Sequence, residues 1–319
     1  MTTRQKVIVG TGLFLACMGV LGIFIEVQFL QFCTFCYPRE VSFTPPLNQT
    51  NNSIIVLPKI NCQESPPFLL LLVTTTHNQK VARMAIRNTW GKAGMIKGKR
   101  VETLFLLGAS QKEDKAGQAS LMEESNVYKD IIQGSFRDVY YNLTIKTLMG
   151  IEWIHHFCPQ TSFAMKTDTD VFVNTPYLVD LLIQKNVTSD FFTGFLKMND
   201  HPVRNSFSKW YISQSEYPAE DYPPFCSGTG YVFSVDVALK IHDIMDSVPF
   251  FKLEDVYVGL CLDKLQITVQ ELHTQQTFFP WKKPFSVCGY QSIVTSHGVS
   301  PTEMVIYWEG LERSKGEKC

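Results

Sequence analysis

Two aspartates stand two residues apart where an apolar segment of the sequence ends, and a lysine lies beside them. Side chains two positions apart point to the same side of an extended chain, so Asp168 and Asp170 can together reach one hard cation or its ligand. The ordinary alternative for such a D-x-D pair is a solvated turn or a helix cap. Ligands bind at the strand ends of an α/β sheet, so this position beside Lys166 favours a metal-bound diphosphate.

Two arginines, Arg83 and Arg87, lie four residues apart on a predicted helix. Like charges at this spacing repel by roughly a few tenths of a kcal/mol, and no acid stands four residues from either arginine. An anion held against that face would remove the repulsion, and a nucleotide diphosphate suits two guanidinium groups. The alternative is a pair of solvated arginines.

A pair of acids, Glu254 and Asp255, precedes a helical pattern that runs to about Leu265. An Asp in this place is usually the N-cap of the helix. It can also act as a general base on a hydroxyl, provided that it faces the metal site. The residues leave both interpretations open.

Among the histidines, one is a candidate metal ligand. His297 ends a short apolar run and could add an imidazole to the Asp170 site, although a single histidine is more often structural. His155 and His156 fall at the end of a predicted helix, and we expect them at the surface.

Aromatic residues cluster between 207 and 231. Flat rings such as Trp210 can stack on the CH face of a sugar, although most aromatic residues belong to a core. Gly228 and Gly230 flank Thr229 and either allow a ligand close to the backbone or form a bulge. The sequence has no G-x-x-x-x-G-K-[ST], G-x-S-x-G or H-E-x-x-H motif, which disfavours P-loop kinases, α/β-type serine hydrolases and zincins.

An α/β framework is needed to bring these residues together. Apolar runs predict buried strands at 68–76, 101–107 and 162–167, and periodicity predicts helices at 79–90 and 143–157, with a polar segment at 111–130. Strands that alternate with helices indicate a mainly parallel central sheet flanked by helices. The D-x-D pair then stands at the carboxyl edge of that sheet.

The amino-terminal part of the chain has a different composition. Residues 7–25 carry no charge, and a helix of this length spans about 28 Å, close to the thickness of a bilayer core. Arg4 and Lys6 before it predict a cytosolic tail at 1–6, an uncleaved transmembrane signal anchor at 7–25 and a luminal remainder. Residues 26–57 read as a stem, and 58–319 as the luminal domain.

The overall composition suits a luminal globular domain. Hydrophobic residues make up 45% and charged residues 18%, with a net charge of -1, so no basic surplus for nucleic-acid binding exists. Nine cysteines suit an oxidising compartment, and the six from Cys62 onward could form three disulfides in fifteen ways. The N-glycosylation sequons begin at Asn48, Asn51, Asn142 and Asn186.

Five blocks of the sequence, in this order and spacing, resemble the β-1,3-galactosyltransferase family. They are RMAIRNTWG at 83–91, DVYYNLTIKT at 138–147, KTDTDVFVN at 166–174, CSGTGYVF at 226–233 and EDVYVG at 254–259. The resemblance implies a GT-A-type glycosyltransferase fold, a UDP-sugar donor, a divalent metal that is usually Mn²⁺, and inversion at the anomeric carbon. It also implies a single-pass type II protein of the Golgi membrane whose catalytic domain, 58–319, is luminal.

The resemblance also implies roles for individual residues. Asp170 and His297 are expected to bind the metal, and Asp255 to act as the catalytic base. The donor is expected to contact Arg83, Arg87, Asp138, Lys146, Lys166 and Asp168. The acceptor is expected to contact Trp210, Gly228, Thr229 and Glu254. The sequon at Asn142 lies inside a block that lines the nucleotide pocket, which argues against its glycosylation.

The expected reaction is transfer of galactose from UDP-galactose to the 3-hydroxyl of a terminal β-linked GlcNAc, or a related HexNAc, on a glycoprotein or glycolipid. The runner-up donors are UDP-GlcNAc and UDP-GalNAc, since relatives with the same motifs use them and no residue here decides the donor. Two other classes stay open. One is a catalytically silent glycan-binding or chaperone-like protein on the same scaffold, and the other is a metal-dependent phosphohydrolase.

Overall fold

The structure, a computed structural model, describes residues 53–110 and 114–316. The strands are β1 Ile54–Val56, β2 Leu69–Thr74, β3 Gly94–Ile96, β4 Lys99–Ala109, β5 Ile131–Arg137, β6 Phe163–Asp168, β7 Val171–Val173, β8 Phe192–Lys197, β9 Phe225–Ser234, β10 Phe278–Phe279 and β11 Thr295–His297. The α-helices are α1 Lys80–Asn88, α2 Lys115–Tyr128, α3 Leu143–Phe157, α4 Thr175–Lys185, α5 Val235–Ile244, α6 Glu254–Lys264, α7 Val287–Gln291 and α8 Pro301–Arg313.

The predicted tail, the predicted anchor and most of the predicted stem lie outside the described residues, as do the sequons at Asn48 and Asn51. Over the ranges that the structure describes, no helix is both long and apolar enough to span a membrane.

The main sheet is mixed. Its order is β1-β5-β4-β2-β6-β9-β8, and β3 pairs with β4 beside this path. The four central strands β5, β4, β2 and β6 run parallel, whereas β1, β3, β8 and β9 pair antiparallel. The prediction of a mainly parallel sheet is therefore confirmed only for the centre. β9 follows β8 through a loop without the crossover helix that parallel pairing requires, so this edge is antiparallel.

Strand β1 comes from the predicted stem. It pairs antiparallel with β5, and Val56 is buried in the core. The folded sheet therefore includes residues 54–56, four residues before the predicted start of the domain at 58.

Both faces of the sheet are covered by helices. Along β2, Leu70 and Leu72 pack into the cluster that contains α3, α5 and α6, whereas Leu69 and Leu71 pack into the cluster that contains α1, α4 and α8. A strand buried on both faces needs apolar residues at every position, which explains the continuous run in the sequence. The register places Thr74, the last residue of β2, opposite Asp168 of β6.

A second, three-stranded sheet has the order β10-β11-β7. β11 pairs antiparallel with β7, which brings His297 opposite Val171. The carboxyl-terminal part of the chain is thereby fixed beside the segment that follows the D-x-D motif.

The predicted helix at 143–157 is confirmed as α3, and the one at 79–90 as α1 with a 3₁₀ turn, His77–Gln79, before it. The polar segment at 111–130, for which the sequence predicts no particular element, contains α2, whose N-cap Asp114 accepts a hydrogen bond from Gly117 N–H. The buried residues of α2 include Glu124 and Ser125, so its buried face lacks an apolar pattern.

The six cysteines from Cys62 onward do not form three disulfides. Cys62 bonds to Cys158 at the end of α3, and Cys288 is also in a disulfide. In the described part of the chain, Cys226 and Cys261 are free thiols buried in the core. Burial raises the pKa of both, which keeps them protonated and unreactive.

Candidate active site

The D-x-D motif lies where β6 ends, next to the end of β2. The Thr74 hydroxyl donates to Asp168 Oδ1 at 2.5 Å, and Lys166 Nζ donates to the same oxygen at 2.9 Å. The chain turns at Thr169 and Asp170 before β7 begins, so it does not stay extended through the motif. The prediction that an extended strand carries both carboxylates on one side is wrong, and each carboxylate has its own partners.

Asp170 meets His297 through the second sheet. His297 Nε2 lies 3.3 Å from Asp170 Oδ2, and His297 Nδ1 lies 3.2 Å from the Pro280 carbonyl oxygen. That carbonyl can only accept, so Nδ1 carries a proton and Nε2 is the nitrogen that faces Asp170. The hydrogen bond with Asp170 raises the pKa of His297. Burial would raise the pKa of Asp170, but His297 outweighs it and the pKa is lowered.

Asp170 and His297 fit a divalent metal as a donor set. A carboxylate oxygen and an imidazole nitrogen 3.3 Å apart can share one ion at ligand distances of about 2.0–2.2 Å. The side chains are 55% and 34% exposed, so ligands from solvent can complete the coordination. The hydrogen bond to the Pro280 carbonyl fixes the ring orientation, as outer-shell partners of metal-binding histidines do.

Lys166 connects β6 to the next strand of the sheet. Its buried Nζ donates to the Gly228 carbonyl of β9 at 2.6 Å and lies 3.4 Å from Glu254 Oε2. Burial would lower the pKa of Lys166, but the neighbouring carboxylates raise it above its ordinary value. The ammonium therefore stays charged, and it binds the Asp168 carboxylate and the Gly228 carbonyl within the protein.

Asp255 lies in the first turn of α6, and the N-cap of that helix is Leu253. Asp255 Oδ2 accepts the N–H of Gly228 at 3.1 Å, and Oδ1 accepts the N–H of Val256 at 3.0 Å. Burial raises the pKa of Asp255, although the Gly228 hydrogen bond and the charge of Lys166 oppose it. A half-buried carboxylate with a raised pKa is suited to accept a proton from a hydroxyl.

Glu254 lies beside Asp255 but is fully engaged inside the protein. Its Oε1 accepts from the Thr147 hydroxyl at 3.0 Å and from the Tyr231 hydroxyl at 2.5 Å. Burial raises its pKa, and the charge of Lys166 opposes the shift. Glu254 thus joins α3, β9 and α6.

Gly228 allows these groups to come close. A Cβ at this position would lie 3.2 Å from Glu254 Oε2 and 3.4 Å from Asp255 Cβ, which is tighter than most such contacts. Thr229 contributes its backbone, because its carbonyl accepts from the Thr167 hydroxyl at 2.9 Å. The glycine and its neighbour therefore hold β9 against β6 and α6.

Arg83 and Arg87 form a separate cluster of charge. Glu124 of α2 accepts from both guanidinium groups at 2.7–2.8 Å, and Asp130 accepts from Arg87 at 2.8 Å. Arg83 is buried and also donates to the Thr76 carbonyl at 2.6 Å. The acids that relieve the like-charge repulsion come from another part of the chain, so the repulsion itself no longer argues for a bound anion.

Lys146 and Asp138 stand at the same edge of the sheet. Lys146 Nζ donates to Asp138 Oδ1 and to the Thr75 carbonyl, each at 2.6 Å, and Gly108 N–H donates to Asp138 Oδ2 at 3.0 Å. Burial lowers the pKa of Lys146 against the attraction of Asp138. These contacts join α3 to the ends of β2 and β4.

An open cavity of about 970 Å³ lies beside these contacts. Thr76, Arg83 and Asp138 are among the residues that line it. The structure thus places two of the predicted donor residues on one cavity wall at the carboxyl edge of the sheet.

Trp210 is half exposed, and Lys209 Nζ lies 4.7 Å from the centre of its ring and 5.6 Å from the centre of the Tyr140 ring. Burial, followed by the charges of Asp255 and Asp168, raises the pKa of Tyr140, which places this aromatic pair within electrostatic reach of the carboxylates.

Comparison with known proteins decides the family. The family model described as Galactosyltransferase matches residues 81–273. The chain is 52% identical to β-1,3-galactosyltransferase 5 of Mus musculus, over 88% of this chain and 90% of that protein. It is 54% identical to β-1,3-galactosyltransferase 5 of Homo sapiens, over 88% and 89% of the two chains. It is 45% identical to β-1,3-galactosyltransferase 2 of Homo sapiens, over 81% and 62%.

The chain belongs to the galactosyltransferase family. The resemblance seen in the five sequence blocks is thus confirmed. The region matched by the family model contains Arg83, Lys166, Asp170 and Asp255 but ends before His297, which joins the site only through the pairing of β11 with β7.

Sequence reasoning on this galactosyltransferase missed several residues of the site. Thr74, Thr147 and Tyr231 bind the carboxylates of Asp168 and Glu254 from β2, α3 and β9. Thr147 and Tyr231 lie inside the five sequence blocks that resemble the family, and this position could have identified them as site residues. Nothing local marks Thr74, whose role follows from its register opposite Asp168.

The two described sequons differ in their surroundings. Asn142 Nδ2 donates to the Arg137 carbonyl at 2.8 Å, and Thr144 of that sequon is buried. Asn186 caps α4 in the left-handed region, and both it and Thr188 are exposed. Asn186 is therefore the better placed of these two predicted acceptors.

Proposed function

We propose that this galactosyltransferase moves galactose from UDP-galactose to the 3-hydroxyl of a terminal β-linked GlcNAc, or a related HexNAc, with inversion at the anomeric carbon. The observation that carries the proposal is the geometry around Lys166. Its ammonium contacts Asp168 and the Gly228 carbonyl, and the Gly228 N–H contacts Asp255. The D-x-D strand and the candidate base are thus held in one framework.

In this proposal Asp255 takes the proton from the acceptor hydroxyl as that oxygen bonds to the anomeric carbon. The bond between the anomeric carbon and the diphosphate oxygen breaks, and UDP leaves with the electron pair. A single displacement of this kind inverts the anomeric carbon. The raised pKa of Asp255 suits it to hold the proton that it accepts.

Asp170 and His297 are the proposed ligands of a divalent metal such as Mn²⁺. When bound, the metal supplies positive charge that neutralises the leaving diphosphate. Asp168, fixed by Thr74 and Lys166, is proposed to face the ribose, and the cavity lined by Arg83 and Asp138 to take the nucleotide. Lys146 supports that wall through its ion pair with Asp138. Arg87 is proposed to support the nucleotide cavity indirectly. It binds Glu124, and Glu124 also binds Arg83 of the cavity wall.

Trp210 and the backbone at Gly228 and Thr229 are proposed to face the acceptor. Glu254 is proposed to orient this segment, since its carboxylate reaches Lys166 and Tyr231. The uncharged segment 7–25 and the exposed sequon at Asn186 support a type II Golgi membrane protein with a luminal catalytic domain.

A donor-by-acceptor panel tests the proposal. The full-length protein is incubated with UDP-galactose, UDP-GlcNAc or UDP-GalNAc, with Mn²⁺ or with chelator, and with acceptors that end in β-GlcNAc, β-GalNAc or β-galactose. NMR of the product gives the linkage and the anomeric configuration. We expect a β-1,3-linked galactose on the HexNAc acceptors, and only with metal.

The other outcomes identify the competing functions. Transfer from another UDP-sugar would contradict the galactose assignment, and an α-linked product would contradict inversion. UDP release that does not need an acceptor would indicate a phosphohydrolase. Glycan binding without UDP release would indicate a catalytically silent protein.

A further inference from the structure

A cluster of histidines lies at the far end of α3 from the candidate active site. His155 and His156 are in the last turn of α3, and His242 is in the last turn of α5, followed by Asp243. Lys146 is nine residues before His155, which corresponds to about 13 Å along the helix. The cluster is therefore separate from the groups assigned to donor, metal and acceptor.

The rings of His155 and His242 are stacked, with centroids 3.8 Å apart and planes 12° apart. Across the residues that the structure describes, Nδ1 of His155 and Nδ1 of His242 are buried without a hydrogen-bond partner. Leaving a buried polar atom unpaired is costly, and two such atoms in contacting rings call for a shared explanation.

Asp243 supplies a third donor at the same place. One ligand atom each from His155, His242 and Asp243 lies within 4.8 Å of the other two. Asp243 Oδ1 is 3.8 Å from His242 Nδ1, which is too far for a hydrogen bond, and its side chain is 71% exposed. The set thus combines two imidazole nitrogens with a carboxylate that is open to solvent.

The local field favours a cation. Both histidines lie at helix carboxyl termini, where the helix dipole places negative charge.

We propose that His155, His242 and Asp243 bind a divalent transition-metal ion of the zinc type, at a site that is independent of the catalytic metal. Two imidazoles and a carboxylate are common zinc ligands, and water can take the fourth position. Each lone pair lies in its ring plane, so the two stacked rings turn about their Cβ–Cγ bonds to face one ion. The bound ion then ties the end of α3 to the end of α5.

No sequence motif marks this site, because His155 lies far from His242 and Asp243 in the chain. His155 alone is a histidine at a helix end, which predicts a surface residue. It is in fact half-buried, and only His156 is exposed. The packing of α3 against α5 is what brings His242 onto the ring of His155.

The test uses Co²⁺ and Zn²⁺ alone with the full-length protein. Asp170→Ala and His297→Ala are introduced first, so that the candidate catalytic site does not contribute. Titration with Co²⁺, followed by its visible absorption, is expected to show one bound equivalent. Adding His155→Phe or His242→Phe, which keeps an aromatic ring in the stack, is expected to remove that equivalent. Asp243→Asn, at an exposed position, is expected to weaken binding at least tenfold.

His201→Gln is the matched control, since His201 also lies beside an aspartate, Asp221, but in an exposed pair. This variant is expected to keep the bound equivalent. Zn²⁺ is expected to raise Tm of the background protein and of the control, and not of the His155→Phe variant. The proposal is overturned if no saturable equivalent binds to the folded background protein. Undiminished affinity in the folded His155→Phe and Asp243→Asn variants overturns it as well.

Discussion

Two clusters of buried charge flank the end of β2 and differ in their balance. The arginine cluster contains Arg83 and Arg87 with Glu124 and Asp130, so two cations face two acids. The lysine cluster contains Lys166 with Asp168, Glu254 and Asp255, so one cation faces three acids. Thr75 and Thr76 contact the first cluster, and Thr74 contacts the second.

The pKa of Glu124 in the arginine cluster shifts in the opposite direction to the pKa values of Glu254 and Asp255 in the lysine cluster. Burial would raise the pKa of Glu124, but Arg83 and Arg87 outweigh it and the pKa is lowered. In the lysine cluster burial raises the pKa of Glu254 and of Asp255, and neither the charge of Lys166 nor, for Asp255, its hydrogen bonds and the charge of Lys197 offset it. Glu124 is thereby held as a carboxylate, whereas Glu254 and Asp255 are shifted in the direction that would suit the proposed proton transfer.

The largest expected effect concerns the metal next to the lysine cluster. In Asp170→Ala, His297 loses its carboxylate partner, and we expect the Mn²⁺-dependent part of UDP binding to disappear. Calorimetric titration with UDP, with and without Mn²⁺, measures it. Asp180→Ala, which removes a carboxylate paired with Lys97 at the surface, is the control and should bind like the wild type. Unchanged metal-dependent affinity in Asp170→Ala would remove Asp170 from the ligand set.

Breaking the arginine cluster should affect stability. Glu124→Ala leaves two guanidinium groups without their shared acid, one of them fully buried, and we expect a loss of about 3–5 kcal/mol in the free energy of unfolding. Denaturant unfolding measures this loss. Glu309→Ala removes the acid of an exposed Arg–Glu pair and should cost less than about 1 kcal/mol. Equal losses in the two variants would contradict a structural role for the arginine cluster.

Removing the cation of the lysine cluster should change the pH profile. In Lys166→Met we expect kcat/KM to fall on the order of 10–100-fold, as for loss of an outer-shell partner. Lys166 lowers the pKa of Asp255, so its loss raises that pKa further. Because the base must be deprotonated, the acid limb of kcat/KM should move to higher pH. Lys240→Met, at an exposed pair, is the control. An unshifted acid limb would show that Lys166 does not act on the base.

The smallest expected effect concerns the acceptor side of the lysine cluster. Trp210→Ala removes a half-exposed ring whose stacking on a sugar is comparable to an aromatic contact of about 0.5–1.5 kcal/mol. We expect the acceptor KM to rise about two- to tenfold, with UDP affinity and kcat unchanged. Steady-state kinetics at saturating donor measures this. A changed UDP affinity would place Trp210 on the donor side.

Part of the fold and of the site could be predicted from the sequence. Local apolar patterns and periodicity predict the central strands, α3 and the position of Asp168 at a strand end. The partners of the charged residues could not. Glu124 lies on the polar-looking buried face of α2, and His297 reaches Asp170 only through the β11–β7 ladder. Such pairings depend on register and helix packing between distant segments, which spacing along the chain does not encode.

Asp255→Asn shows whether Asp255 of the lysine cluster is the catalytic base. The amide keeps the size of the side chain and its contact with Gly228 but cannot take a proton. A general base contributes about 10²–10⁴-fold, so we expect kcat to fall by that factor while the affinity for UDP with Mn²⁺ stays unchanged. Near-wild-type kcat in a folded Asp255→Asn variant would show that Asp255 is not the general base.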